Sequence, residues 1–117
     1  MSGHEKVTTV HSASIGQPGR ALNTARMHAL VLDSSSGPGE GLTNTEAFLA
    51  GIASCGVTLI EKYVVEAGVA LAGMGVTISG IQAAADHTRF QAIDVRFEFD
   101  GVGQAEADRL VEVWRAR

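Results

Sequence analysis

One cysteine, Cys55, is all the chain contains, which excludes an internal disulfide framework and a cysteine-rich zinc site. A chain without disulfides suits a reducing compartment, and the cytoplasm is the expected location. The N-terminal stretch MSGHEKVTTVHSAS has no apolar run of the signal-peptide kind. Lysine and arginine are never clustered and the formal charge is −4, so neither nucleic acid nor an anionic membrane surface is an expected partner. The longest apolar run, Ala47 to Ile60, is about fourteen residues, short of the roughly twenty that cross a bilayer. Glu61 and Lys62 follow it directly, so no membrane span is expected. His4, His11, His28 and His87 lack metal-ligand spacing, and no Ser-His-Asp pattern, phosphate loop or nucleotide fingerprint occurs. Neither a metal nor a cofactor is therefore expected. Aromatics are scarce at 5 %, while 14 glycines point to many turns and close contacts.

What the chain does have is centred on Thr43 to Gly68, TNTEAFLAGIASCGVTLIEKYVVEAG. Thr43, Asn44 and Thr45 offer side-chain oxygens as N-caps, Glu46 puts a negative charge in the first turn, and Gly68 suits the C-terminal end. Between them the helix is apolar or small all the way round, which predicts burial on every side. Cys55 sits at its centre. Ala47, Gly51 and Cys55 recur four apart, as do Ala50 and Ser54, so small residues form ridges that let a neighbour come close. Tight helix packing explains such ridges, and so does room for a substrate around the thiol.

Around that helix the periodicities predict strands. Lys6 to Ser14 is rich in Val and Thr, Ile15 to Gly19 is a turn, and Arg20 to Asn23 starts a second strand. Arg26 to Asp33 reads as a third, with Arg26, His28, Leu30 and Leu32 on one face. Ser34 to Leu42 is a loop. Ala72 to Asp86 and Phe90 to Asp100 are two more strands, joined by a turn at Asp86 to Arg89. In the last strand Ile93, Val95, Phe97 and Phe99 face one way and Asp94, Arg96 and Glu98 the other. Gln104 to Arg117 is an amphipathic helix with Ala107, Leu110, Val111 and Trp114 inward. The fold class is α+β: an antiparallel sheet with a long central buried helix and a second C-terminal helix, in a single domain over residues 1–117.

Asn44-Thr45-Glu46 through Ala53-Ser54-Cys55, with Leu49 and Ala50 between, resembles the central helix of the organic hydroperoxide resistance/osmotically inducible protein C superfamily. Arg26 and His28 through Asp33, followed by the glycine-rich loop, resemble that family's Arg-x-His segment. The order of elements agrees over nearly the whole chain, and Thr45 stands where the family usually has proline. The resemblance implies an intertwined homodimer that reduces small organic hydroperoxides, with Cys55 as the peroxidatic thiol. It also implies an arginine and a glutamate that position and activate the thiol. Arg26 is the first choice for the arginine, Arg20 the second, and Glu46 the glutamate; His28 is a further candidate for the lining of the site.

A thiol reacts as the thiolate, and apolar burial alone would leave it inert, so this chemistry calls for a positive neighbour. Glu46 and Cys55 are nine residues apart, which is two and a half turns and about 13 Å on an ideal helix. The two cannot share a site within one straight helix, so Glu46 would serve from the other protomer or act only on the helix dipole. The family's second cysteine, expected just after Arg117, is not in the sequence as given, so a two-cysteine cycle cannot run on it: either the sequence is a truncated piece, or one thiol works with an external dithiol as reductant, or the protein is no peroxidase. The competing expectation is a noncatalytic dimeric domain of the same fold that binds a small apolar molecule. A final helix ending at Arg117 without a covering segment is expected to fray.

Overall fold

The computed structural model describes residue 3 and residues 5–116; the fraying expected at Arg117 lies outside them. The elements run β1 (His11–Ser14), β2 (Arg20–Ala25), β3 (His28–Asp33), α1 (Asn44–Ala67), β4 (Gly73–Ala83), β5 (Asp86–Asp100) and α2 (Gln104–Arg115). The chain divides into two compact units, Met1–Ala47 and Phe48–Arg117.

In the first unit, β1, β2 and β3 form an antiparallel sheet in that order. β1 is shorter than the predicted Lys6–Ser14. It pairs from His11, opposite Thr24, because its partner strand ends one residue later at Ala25. There the chain reverses through Arg26 and Met27, with Ala25 opposite His28. This corrects the reading of Arg26 as a strand residue sharing a face with His28, Leu30 and Leu32. Arg26 is the first turn residue and takes φ 57°, the left-handed region that a two-residue hairpin requires. No Gly, Asn or Pro marks the spot, so alternation ran on unchecked through a turn.

The Ile15–Gly19 turn forms as expected, and Gly19 is indispensable to it. Its φ is 86°, and a Cβ there would lie 2.7 Å from the Gly37 Cα, so the 34–42 loop can lie against it only because both residues are glycine. The Ser34 amide donates to the Gly19 carbonyl at 2.8 Å, and the Asp33 amide donates to Leu42 at 2.9 Å. The loop is thereby fastened at both ends before it enters α1.

In the second unit, β4 and β5 make a long antiparallel hairpin. Its reversal falls at Ala84–Ala85, not at Asp86–Arg89, and β5 begins at Asp86. The register runs from Ala83 opposite Asp86 to Gln82 opposite Phe90, so His87, Thr88 and Arg89 have no partner in β4. The polar Asp-His-Thr-Arg sequence is thus an irregularity in the strand beside the turn. Asp86 accepts a hydrogen bond from the Thr88 amide at 3.0 Å, which holds it in shape. Val95, Phe97 and Phe99 are half-buried, while Asp94, Arg96 and Glu98 are exposed, as alternation predicts; Ile93, expected on the same inner face, is exposed.

Ile60, Val64 and Leu110 form the buried core, with Tyr63, Phe97, Phe99 and Trp114 packed around them. All four predicted inner residues of α2 are buried or half-buried, Leu110 fully. α1 is covered along one stripe only, where Gly56, Ile60 and Val64 are buried. The opposite face, including Ala50, Gly51, Ser54 and Cys55, is exposed. Burial on every side is therefore not met within one chain, because a single hairpin and a short helix can cover only one side of a helix. By length and composition α1 would also be long enough to cross a membrane; here its Ile60–Val64 stripe packs with Leu110 in the core.

Candidate functional site

The thiol comes first. Cys55 is exposed on α1, one residue before the buried Gly56. The Trp114 indole lies against Gly56, where a Cβ would meet its Nε1 at 3.3 Å. This close approach brings the last turn of α2 alongside the middle of α1. Phe97 meets the indole in an edge-to-face contact, with ring centroids 5.2 Å apart. Beside it opens a cleft of about 640 Å³, lined by Phe48, Ile52, Cys55, Leu59, Trp114 and Arg115. Phe48 is held by stacking on Phe90 at 5.9 Å. The Phe90 ring in turn lies over Gly80, where any Cβ would collide with it.

The cleft thus offers a sulfur nucleophile on an apolar wall with a guanidinium among its lining. Sequence reasoning placed Trp114 in the core and passed over Arg115. The signal available was weak: Trp114 belongs to the inner stripe of α2, and the residue after it sits at that stripe's edge.

The remaining predicted site residues lie in the first unit. Arg20 directs its Nε to the Asp33 carboxylate at 2.7 Å and its Nη1 to Glu40 at 3.2 Å. Asp33 is fully buried and also accepts from the amides of Glu40 at 2.8 Å and Gly41 at 2.9 Å. The Arg20 hydrogen bond, with the Gly41 and Glu40 amides, holds the Asp33 carboxyl below the usual carboxylate range, against the opposing effect of burial. Asp33 in return raises the Arg20 pKa. Glu46 accepts from the Thr43 amide at 2.9 Å, while the Thr43 hydroxyl accepts from the Glu46 amide at 3.1 Å. That reciprocal pair is a capping box at the start of α1. Arg26 is exposed at the β2–β3 turn, and His28 lines a shallow groove of about 230 Å³ with Val10, Asn23 and Leu30. Among the described residues no group of histidine, cysteine, aspartate and glutamate is arranged to hold a metal ion.

A family model described as OsmC-like protein matches residues 37–117. The chain belongs to the OsmC-like family. An OsmC-like protein from Mycoplasma pneumoniae superposes with a TM-score of 0.84 at 12% identity, over 97% of this chain and 84% of that one. The organic hydroperoxide resistance protein OsmC from Legionella pneumophila gives a TM-score of 0.72 at 21% identity, over 97% and 85% of the two chains. The organic hydroperoxide resistance protein OhrB of Bacillus subtilis gives 0.65 at 15% identity, over 95% and 84%. No curated sequence matches. At these identities the structures establish a shared fold: two helices with antiparallel sheets, the α+β arrangement read from the sequence. They place the chain with OsmC-like folds, among which some members are named for hydroperoxide resistance.

Proposed function

We propose that this OsmC-like protein reduces small organic hydroperoxides with Cys55 as its peroxidatic thiol, as a homodimer supplied by an external dithiol. The observation that carries the reading is the exposure of Cys55 on the wall of an apolar cleft. In the first step the Cys55 thiolate attacks one peroxide oxygen and the O–O bond breaks. The alcohol leaves with a proton, and the sulfur becomes a sulfenic acid. A thiol of the external reductant then attacks that sulfur and releases water, giving a mixed disulfide. Its second thiol closes a disulfide within the reductant and returns Cys55 to the thiol.

The family resemblance gives an arginine and a glutamate a share in activating the sulfur. Arg26, with Arg20 as the alternative, and Glu46 are the residues proposed for that role, with His28 as a further binding residue. The names of the Legionella and Bacillus proteins support the substrate class. The homodimer is supported by the uncovered face of α1, where Phe48 and Val65 are 56% and 82% exposed. A second copy packed on that face would also lie against Cys55, so that the cleft would open at the subunit interface.

The test is consumption of cumene hydroperoxide in excess dihydrolipoamide. The parent is expected to turn over and Cys55→Ser to fall to the rate of buffer alone, with an unchanged circular dichroism spectrum. Equal rates for the two proteins would sink the peroxidase reading and leave a ligand-binding domain of the same fold.

A further inference from the structure

Asp33 is the one fully buried ionisable side chain among the described residues, and the peroxide chemistry above gives it nothing to do. It stands directly across from Arg20 in the β2–β3 register, so both side chains leave the same face of the sheet. Its Oδ1 accepts from the Arg20 Nε at 2.7 Å, and its Oδ2 accepts from the Glu40 and Gly41 amides. Arg20 is also fastened at the backbone, where its amide donates to the Gln17 carbonyl at 3.2 Å and the preceding Gly19 lies against Gly37. The guanidinium is therefore held by one edge, and its side chain is only 18% exposed. The other edge meets a different kind of partner. The Glu40 carboxylate approaches Nη1 at 3.2 Å, but that side chain is 68% exposed, and an ion pair open to water is weak. Asp33 is thus hard to part from Arg20 and Glu40 is easy, because a buried carboxylate left without its partner is costly whereas an exposed one is simply hydrated.

We propose that the two carboxylates divide the control of Arg20. Asp33 is the positioning residue that fixes the direction of the guanidinium, and Glu40 is a removable place-holder on the Nη edge, which yields when that edge engages the reacting thiolate or peroxide oxygen. This rests on the peroxidase reading, with Arg20 rather than the exposed turn residue Arg26 as its arginine. A planar fork pinned at one edge and loosely covered at the other is preorganised without being blocked.

Two measurements test it. The first follows loss of the Cys55 thiol with cumene hydroperoxide in a single turnover, without reductant, in the parent, Arg20→Gln, Asp33→Asn, their double variant and Glu40→Gln. Asp33→Asn is expected to slow the reaction about tenfold, the scale of coupling between residues in contact, and to slow it no further once Arg20 is already glutamine. Glu40→Gln should quicken it about threefold, the strength of an exposed pair. Its backbone amide still donates to Asp33, so the loop keeps its fastening. A purely structural Asp33 would slow both backgrounds alike. That result, an unchanged rate in Asp33→Asn or in Arg20→Gln, or a slower Glu40→Gln would overturn the proposal. The second measurement needs no peroxide. In heteronuclear NMR spectra of the arginine side chains, the Arg20 Nε–H should exchange slowly with solvent in the parent and in Glu40→Gln, and quickly in Asp33→Asn. Protection that survives Asp33→Asn, or vanishes in Glu40→Gln, refutes the division of roles even in an inert protein. Failure of the peroxidase reading shows itself separately, as a parent thiol oxidised no faster than free cysteine. That outcome removes the catalytic half of the proposal, whatever the spectra show of the hold on Arg20.

Discussion

The two units of the molecule bury opposite kinds of side chain. Among the described residues of the first unit the one fully buried side chain is Asp33, a carboxylate tied to Arg20 and two backbone amides. Among the described residues of the second unit the buried side chains are Ile60, Val64 and Leu110, all hydrocarbon. A buried charge is tolerated only when its hydrogen-bonding capacity is filled, so the first unit depends on geometry and on protonation state. Apolar burial is non-directional and indifferent to pH, and it depends on volume. The first unit is a short sheet with a loop fastened across one end, and the second is a small packed core. Their responses to mutation and to acid should differ accordingly.

The largest effect is expected in the second unit. Leu110→Ala removes a fully buried side chain from the centre of the core and should cost about 2–5 kcal/mol. Urea titration followed by Trp114 fluorescence measures it, and the loss should be the same at pH 5 and pH 8. A cost under about 1 kcal/mol would mean the site collapses freely and that the contrast in packing is overstated.

The intermediate effect belongs to the first unit and depends on pH. Asp33 has its pKa depressed by Arg20 and the two amides. A depressed carboxylate contributes stability above its unfolded pKa, and that contribution is lost as pH falls through the folded value. The loss should begin below about pH 4, the ordinary aspartate range. Arg20 has the opposite sign, stabilising below its unfolded pKa, but its raised pKa keeps it charged throughout any practical range. Protection factors against hydrogen exchange at the Glu40 and Gly41 amides, both of which donate to Asp33, should therefore fall in acid before that at Ile60 does. Asp33→Asn should free those amides at neutral pH and remove the acid dependence. Asp86 is also depressed, by the Thr88 hydroxyl and amide, but it is exposed at the end of the β4–β5 hairpin, away from the core. Simultaneous loss of protection at Gly41 and Ile60 would show that the two units unfold together.

How much of this was legible in the sequence follows the same division. Apolar periodicity found β5 and the inner stripe of α2, because burial by hydrocarbon leaves a repeating trace along the chain, while α1 was found from its end signals and its unbroken apolar run. It could not find the Asp33 arrangement, since its partners come from Arg20 and from amides seven and eight positions on, with no period to reveal them. It misplaced Arg26 because nothing in Ala25-Arg26-Met27-His28 signals a reversal, and the left-handed backbone there is carried by an arginine. The Cys55 cleft was half visible. The small ridge around the thiol was plain, but Trp114 and Arg115 reach it only because Gly56 lets α2 come close, a contact between residues far apart in the chain.

The smallest stability effects are expected at the capping box, and they also bear on what Glu46 is for. Thr43→Ala removes the hydroxyl that accepts from the Glu46 amide and should cost about 1 kcal/mol. Glu46→Gln keeps an oxygen for the Thr43 amide, because glutamine serves at this position of the motif as well as glutamate. Its stability should therefore stay within about 0.5 kcal/mol of the parent, the range of ordinary surface changes. Charge is the only thing that substitution removes. If peroxide turnover survives Glu46→Gln unchanged, the carboxylate works purely as a cap and its part in activating Cys55 is refuted. If turnover falls at least tenfold while stability and far-UV circular dichroism hold, the negative charge has a task that no hydrogen bond to Thr43 can account for.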